Sequence, residues 1–134
     1  MAEKILLEIV TPERKVVSET VDIVVAPGDL GEFGVLPGHI PFLCKLKVGE
    51  LRYRIGAVSK HIAVMGGYAE VLNDQVTILA PAAEAATEID LIRARAARER
   101  AERRIAESRD KFEFARAQGA LQRALARLKV AERQ

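Results

Sequence analysis

The sequence predicts an α+β protein of two domains, an N-terminal antiparallel β-sandwich followed by a C-terminal antiparallel two-helix hairpin. All five prolines and eight of the nine glycines precede residue 88, whereas residues 88–134 are rich in alanine and arginine. Proline and glycine separate short strands by turns, and a proline-free, alanine-rich stretch favours helix. We therefore assign residues 1–84 to the sandwich and residues 85–134 to the hairpin.

Short apolar or alternating segments predict the strands of the first domain. They are KILLEIV, VDIVVA, PFLCKLKV, LRYRI, KHIAVM, YAEVL and QVTILA. Asn73 and Asp74 separate the last two segments. Both residue types tolerate the left-handed backbone of a tight turn, so this pair predicts a β-hairpin. Gly66 and Gly67 precede it and predict a bulge or a sharp bend.

Two capping patterns predict the helices. Thr87 with Asp90 predicts a first helix over about residues 88–107, and Asp110 with Glu113 predicts a second over about residues 111–131. Apolar residues recur every three or four positions in both, namely Leu91, Ala94, Ala97, Ala101 and Ile105, then Phe114, Ala117, Leu121, Leu125 and Leu128. Small side chains bury little area, and Gly119 weakens the second helix. The hairpin should therefore be marginally stable alone and should lean on the sandwich or on another partner.

Composition limits the class of protein. The chain has 134 residues, 49% hydrophobic and 30% charged, with a net charge of +2 that divides into −3 for residues 1–87 and +5 for the remainder. No apolar run is long enough to span a bilayer, and the N-terminus does not resemble a signal peptide. These features predict a soluble chain that stays in its compartment of synthesis. Cys44 is the only cysteine and predicts a buried structural thiol, not a disulfide or a zinc ligand.

Catalytic and metal-binding motifs are absent from the pattern. His39 and His61 have no second ligand at metal-binding spacing, and Cys44 lies five residues from His39 without a nucleophile motif. The glycines of PGDLGEFGVLPGH lack the lysine that follows a phosphate-binding loop, which makes turn formation the better interpretation. The sequence thus predicts no catalytic residue, no metal site and no catalytic cofactor.

Arginines on the hairpin predict a site for a phosphate-bearing anion. Arg93 and Arg100 share a helix face, as do Arg123 and Arg127. A hairpin folded about Arg109 brings Arg93 and Arg127 within one turn of each other, and guanidinium groups suit phosphate because they donate paired hydrogen bonds. Two plainer interpretations remain open. Asp90 could be a helix cap alone, and the arginines could form a solvated face with partners such as Glu99 for Arg103.

Three segments carry a resemblance to a known family. GEFGVLPGHIPFL, VMGGYAEVLNDQVTILA and EIDLIRARAARERAERR closely resemble the epsilon subunit of the bacterial rotary proton-translocating ATP synthase, and the resemblance runs from LEIVTPERKVV to RLKVAE. It implies a flattened sandwich of about ten strands and a helical hairpin. It also implies a non-catalytic central-stalk subunit that couples the gamma subunit to the c-ring. Such a subunit is peripheral, on the cytoplasmic side of the inner (plasma) membrane, without inserting into it.

The resemblance further implies a regulatory hairpin. In the family it is a mobile inhibitor that folds beside the sandwich or extends along gamma into the alpha/beta catalytic head. Some members bind ATP on the folded hairpin through a motif that IDLIRA matches, and bound ATP would hold the hairpin down and relieve inhibition. By that match the site comprises Ile89, Asp90, Arg93 and Ala94 at the adenine end, Glu84 from the linker, and Arg100, Arg123 and Arg127 at ribose or phosphates. A role for magnesium is left open.

Two sandwich residues are assigned by the same resemblance. Glu32 is expected to contact polar loops of the c-ring, against the alternative of an ordinary exposed turn acid. His39 is expected to close its turn and pack at the gamma interface.

Rival functions come from other classes of protein. A basic helical hairpin could neutralise nucleic-acid phosphates, and a charge of +5 permits this. However, the helices lack aromatic side chains placed for base stacking, and acids are interspersed among the arginines. An independent ATP-hydrolysing enzyme is disfavoured because neither a phosphate-binding loop nor a carboxylate pair for magnesium is visible. The sequence therefore favours a regulatory subunit over both.

Overall fold

The computed structural model describes residues 3–133 as eight strands and two helices. The strands are β1 (Ile5–Val10), β2 (Lys15–Val21), β3 (Ile23–Gly28), β4 (Gly31–Val35), β5 (Phe42–Ile55), β6 (Val58–Leu72), β7 (Gln75–Leu79) and β8 (Ala83–Ala85). A 3-10 turn at Ala86–Glu88 leads to α1 (Leu91–Glu107) and α2 (Lys111–Ala131). The β-sandwich and the helical hairpin predicted from the sequence are both confirmed.

One continuous hydrogen-bonded sheet forms the sandwich. Its strand order is β2-β1-β7-β6-β5-β3-β4, and β8 pairs with β6 beside β7. Every pairing is antiparallel except that of β1 with β7. The two long strands, β5 and β6, pair along their whole lengths, from Phe42 with Val71 to Ile55 with Val58. This long pair connects the β7 side of the sheet with the β3 side.

Glycines allow β6 to change partners halfway along. Gly66 and Gly67 have φ angles of 89° and 106°, a region that residues with a Cβ rarely adopt. Before this point β6 pairs with β8, and after it β6 pairs with β7. The bend predicted from the two glycines is confirmed. The predicted turn at Asn73 and Asp74 is confirmed as well, since both have positive φ, as a type I′ hairpin turn requires.

Several strand predictions were incomplete. Four predicted segments form only two strands, because PFLCKLKV continues into LRYRI and KHIAVM continues into YAEVL. The eight strands are therefore fewer than the ten or so implied by the resemblance. The sequence interpretation also missed β2, β4 and β8. KVVSETV of β2 is mostly polar on its outer face, GEFGV of β4 was interpreted as turns, and β8 has only three residues.

The sandwich core consists of inward-facing aliphatic side chains from both layers. Those fully buried include Ile5, Leu7, Ile9, Val21, Val24, Leu46, Leu51, Val76 and Ile78. Alternate residues of β1 point inward, as expected for a strand with one solvated face. Cys44 was predicted to be buried, but it is only partly buried at the edge of this core. Desolvation there raises the pKa of its thiol.

The first helix begins later than predicted. Thr87 does not cap it; residues 86–88 form the 3-10 turn, and Asp90 is the N-cap of α1, accepting a hydrogen bond from the backbone N of Arg93 at 3.0 Å. The reason is that Ile89 stays extended and buried, which delays the start of the helix. Asp110 caps α2 through the backbone N of Glu113 at 2.8 Å, as predicted.

Alanines form the contact between the two helices. The buried residues of α1 are Ala94 and Ala101, and those of α2 are Ala117, Ala124, Ala126 and Val130. This agrees with the small side chains of the predicted apolar stripes, while the larger stripe residues Leu91, Phe114 and Leu125 remain about two-fifths exposed. Small side chains let the helices approach closely and leave the larger ones at the rim.

The hairpin is folded against the sandwich. Six buried residues form what we call the junction cluster: Ala63 and Met65 of β6, Ile89 of the linker (residues 84–90), Ala94 of α1, and Ala126 and Val130 of α2. Helix α2 makes the direct contact with β5 and β6. The junction cluster is separate from the sandwich core and much smaller. The hairpin is therefore held by a contact that shares no residue with the sandwich core.

The substitution Gly67→Ala should strongly destabilise the sandwich. A Cβ at Gly67 would lie 2.0 Å from the carbonyl oxygen of Leu79, in addition to the strain of its positive φ. We expect a loss of at least about 3 kcal/mol in the free energy of unfolding, measured by urea titration.

Gly66→Ala is the matched control, because its φ is also positive but its Cβ would meet only the Leu46 carbonyl oxygen, at 3.7 Å. It should cost about 1–2 kcal/mol. Equal losses for the two variants would show that the close approach of β6 to β7 is not what requires glycine at residue 67.

Candidate functional site

A hollow of about 410 Å³ lies where the linker, α1 and α2 meet, and we call it the notch. It exists because Asp90 starts α1 beside the linker while α2 returns antiparallel to it. Alanines form its floor and charged side chains its rim. The lining residues are Glu84, Glu88, Asp90, Arg93, Ala94, Ala97, Arg100, Ala124 and Arg127.

The acids of the notch already have partners. Glu84 Oε1 accepts a hydrogen bond from Arg127 Nε at 2.6 Å, and each side chain is a little over a quarter exposed. Glu88 pairs with Arg14 at 2.6 Å and also accepts from the backbone N of Ala85. Asp90 is occupied as the cap of α1. The carboxylates of the notch thus already have partners, Arg127 among them, and none of them pairs with Arg93 or Arg100.

Two arginines of the notch form no salt bridge within residues 3–133. These are Arg93 and Arg100, whereas the neighbouring Arg98 pairs with Glu102 at 3.4 Å. The pair suggested between Glu99 and Arg103 does not form in the part of the chain that the structure describes; Arg98 and Glu102 take that arrangement one residue earlier. Uncompensated guanidinium groups over an alanine floor can bind an anion with several oxygen atoms.

Six of the eight residues assigned to the ATP site line the notch, namely Glu84, Asp90, Arg93, Ala94, Arg100 and Arg127. Ile89 does not, because its side chain is 7% exposed and packs in the junction cluster beneath. Ile89 fixes the start of α1, and its side chain does not line the notch. Sequence reasoning did not include Glu88, Ala97 and Ala124, although the spacing of Ala97 from Arg93 and Arg100 places it on their face.

Arg123 lies apart from the notch. It lines a second hollow nearer the hairpin bend with Arg104, Arg109 and Arg116, and its Nη1 lies 3.5 Å from where a Cβ of Gly119 would be. Arg127 and Arg123 are one turn apart along α2. The side chain of Arg127 therefore lies beside the linker, whereas that of Arg123 does not. To contact an anion in the notch, Arg123 would have to turn its side chain toward Arg127.

Glu32 lies on β4 in a two-pronged ion pair. Its carboxylate accepts from Arg52 Nη1 at 2.8 Å and from Arg52 Nη2 at 3.1 Å. The hydrogen bonds from Arg52 lower the pKa of Glu32 and raise the pKa of the guanidinium. Glu32 also lines a groove between the sandwich and α2, opposite Lys129. The carboxylate is therefore charged and oriented, with half of its side chain open to solvent.

His39 closes the loop between β4 and β5. Its Nδ1 lies 2.7 Å from the carbonyl oxygen of Ile40, and its ring meets Phe42 edge-on with centroids 6.0 Å apart. Four large apolar side chains of this loop and the segments next to it in the chain are more than half exposed: Leu30 in the β3–β4 turn, Leu36 and Ile40 in the β4–β5 loop, and Leu43 at the start of β5. We call these four the loop patch. Exposed apolar clusters of this kind usually mark an interaction surface. Sequence reasoning missed it, although apolar residues in a turn-rich loop were the signal.

Within residues 3–133, no group of three or more histidine, cysteine, aspartate or glutamate side chains is arranged to hold a metal ion. Neither helix in this range combines the length and apolar character needed to cross a bilayer.

Comparisons with known proteins agree on one family. Residues 4–86 match the β-sandwich domain of the ATP synthase Delta/Epsilon chain, and residues 87–132 match its long alpha-helix domain. The chain is 78% identical to the ATP synthase epsilon chain of Syntrophobacter fumaroxidans over 133 residues, which are 99% of each protein. It is 55% identical to the epsilon chain of Nitratidesulfovibrio vulgaris, covering 97% of each.

A solved structure supports the same assignment. The chain is similar, with a TM-score of 0.83 and 26% identity, to a chain in the cryo-EM structure of the Euglena gracilis mitochondrial ATP synthase, OSCP/F1/c-ring in rotational state 1. The similarity covers 96% of this chain and 81% of that one. Together with the two-domain matches, it shows that the chain belongs to the ATP synthase epsilon chain family, as a non-catalytic subunit.

Proposed function

We propose that the chain is a rotor subunit that couples gamma to the c-ring and regulates ATP hydrolysis through a mobile hairpin that binds ATP. The observation that carries the regulatory part is the notch, where two arginines that form no salt bridge within residues 3–133 line the same hollow as Arg127. The notch also lies beside the junction cluster, which includes Ala94 of its own floor. A ligand in the notch contacts both helices and the linker, so it binds only the folded hairpin.

Ligand binding to one conformation shifts the equilibrium toward that conformation. ATP that binds the folded hairpin stabilises it by RT ln(1 + [ATP]/Kd). The junction cluster is small, so the free-energy difference between folded and extended hairpins is one that such a ligand can reverse. ATP is thus a regulatory ligand that relieves inhibition. A magnesium ion bound together with ATP would need ligands near the phosphates, and the described carboxylates that line the notch are already paired.

The sandwich provides the coupling surface. The loop patch lies beside His39, and Glu32 presents an oriented carboxylate from the neighbouring strand. We assign this region to contact with the c-ring and with gamma. The similar Euglena chain belongs to an assembly that contains a c-ring, which supports the assignment. The protein then lies at the cytoplasmic side of the inner membrane as a peripheral part of the complex, and the extended hairpin reaches the alpha/beta head.

A nucleic-acid function has less support. The exposed phenylalanines, Phe112 and Phe114, lie at the start of α2, away from the arginines of the notch. No observation favours this function over the rotor role. Salt-sensitive retention on heparin without co-purification of gamma would be the result in its favour.

ATP should bind the purified chain saturably, and Arg93→Ala should weaken this binding about ten- to hundredfold, because a charge-assisted contact to phosphate is lost. Adding Arg127→Ala should abolish binding in the accessible range. Calorimetric titration with ATP, and with ADP and GTP alongside, measures the affinities and the selectivity.

Arg103→Ala is the matched control, since it removes an exposed arginine of α1 outside the notch. It should leave affinity within about twofold of the parent. Arg123→Ala should weaken binding less than Arg93→Ala, because its side chain must leave another hollow to reach the ligand. If Arg103→Ala weakened ATP binding as much as Arg93→Ala does, the loss would reflect the overall positive charge of the hairpin, and the assignment of the site would be wrong.

Glu32→Gln should weaken assembly with the c-ring while changing the stability of the isolated sandwich by less than about 1 kcal/mol, because the pair with Arg52 is half-exposed. The sign follows from the lowered pKa: the contribution of the pair is present above the unfolded pKa and is lost as pH falls through the lower folded value. Co-purification with the c-ring and urea titrations at neutral and acidic pH measure the two effects.

Glu13→Gln, in the exposed turn between β1 and β2, controls for loss of one negative charge on the sandwich. Equal loss of assembly in both variants, or loss of the sandwich fold in the Glu32 variant, would contradict the assigned contact.

A further inference from the structure

The carboxy-terminal end of α2 is attached to the sandwich by a buried charge. Glu50 on β5 is 5% exposed, and it is the one charged residue that is buried within residues 3–133. Arg133, two residues beyond α2, donates from Nε to Glu50 Oε2 at 3.1 Å and from Nη2 to Oε1 at 3.5 Å. His61 on β6 places Nδ1 3.2 Å from Glu50 Oε2. We call these three residues the anchor.

The hairpin itself covers Glu50. Glu50 lines a groove to which α2 contributes Gln122, Ala126 and Lys129. Opposite Glu50 in the sheet lies Ala63, a member of the junction cluster into which Val130 packs. When the hairpin leaves the sandwich, this cover leaves with it and water can reach the carboxylate. Docking therefore removes Glu50 from water, and undocking returns it.

Burying a carboxylate is unfavourable unless a cation compensates it. Arg133 arrives with α2 at the same step that covers Glu50, and it reaches the carboxylate only when α2 is in its observed register. Arg133 is 45% exposed in its side chain, so it can be hydrated if its partner is lost, whereas Glu50 cannot. The two halves of the ion pair are thus unequal: losing the arginine leaves the buried carboxylate with only the His61 ring, at 3.2 Å, whereas losing the carboxylate leaves an arginine that water can hydrate.

We propose that docking of the hairpin requires Arg133. A docked arrangement in which this arginine is absent or out of register is unfavourable, because the buried carboxylate of Glu50 then lacks its guanidinium partner. This inference deepens the proposed function and rests on it in one respect, namely that the hairpin moves as a unit. It assigns the control of docking to residues outside the notch. ATP and the anchor then stabilise the same folded hairpin from two places near the carboxyl end of α2, the notch at Ala124 and Arg127 and the anchor at Arg133.

The test compares hydrogen exchange of α2 amides with that of β1 amides in the full chain, by NMR at one constant pH. Arg133→Ala should speed exchange of the amides of residues 126–130 about tenfold or more, with β1 amides unchanged. Glu50→Gln alone should change it less than about threefold. The double variant, Arg133→Ala with Glu50→Gln, should recover most of the protection, because no buried charge is left without a partner.

The rescue separates the proposal from simpler explanations. Arg133 also lies near the carboxyl end of α2, where a cation stabilises the helix, but loss of that effect would not be restored by Glu50→Gln. Arg103→Ala controls for removal of an exposed helix arginine. An Arg133 variant with parental exchange, or a double variant that exchanges as fast as Arg133→Ala, would overturn the proposal.

The same experiment distinguishes failure of the anchor from failure of the regulatory function. If α2 and β1 amides exchange at the same rate in every variant, the hairpin opens only with the whole fold, which contradicts both proposals. If α2 opens separately but is insensitive to Arg133, only the anchor is wrong. Calorimetric ATP titration of the Arg133 variant adds an independent check, since weaker apparent binding is expected when the folded hairpin is less populated.

Discussion

The contact between α2 and strands β5 and β6 is the interaction on which the functional features depend. It consists of the junction cluster, whose members are mostly small, with Val130 fully buried and Ala63 beneath it. The notch is closed on one side by α2, the ion pair of Glu84 with Arg127 crosses the same contact, and so does the pair of Glu50 with Arg133. All three features therefore depend on this one contact, which shares no residue with the sandwich core.

The division of apolar surface explains why the two domains can behave differently. The sandwich buries long aliphatic side chains from nearly every strand, and its bend is fixed by Gly67 against β7. The hairpin uses alanine between its helices and leaves Leu125, Phe112 and Phe114 at least two-fifths exposed. At about 25 cal/mol per Å² of buried apolar area, the sandwich gains far more from folding than the hairpin does from docking. A stable platform and a weakly held arm follow from this difference.

Much of the architecture could be predicted because strong local signals coincided with it. The glycine bend, the turn at Asn73 and Asp74, and the cap at Asp110 each depend on a few neighbouring residues. The start of α1 could not be predicted from local signals. Ile89 packs in the junction cluster, and because of this tertiary contact the N-cap is Asp90 and not Thr87. Strands β2 and β4 were missed because partner strands, not their own polar or glycine-rich sequences, hold them extended.

The candidate sites show the same limit. Helical spacing was enough to place Arg93 and Arg100 on one face, and the hairpin geometry brought Arg127 to them. Spacing could not tell that Arg123 turns toward the bend, because that depends on the room above Gly119. Nor could it find Glu50, which is an ordinary acid in a strand until α2 covers it and Arg133 arrives. A local sequence pattern cannot identify residues whose roles depend on the docking of one domain on the other.

In the proposed function, ATP and the docked hairpin stabilise each other. Hydrogen exchange of the isolated chain, followed amide by amide while ATP is added, tests it most directly. The account predicts a saturable slowing of exchange in α1, α2 and the linker at residues 84–90, with the amides of β1 unchanged. No slowing at millimolar ATP, or equal slowing throughout the sandwich, would contradict it, because the ligand would then be absent or indifferent to whether the hairpin is docked.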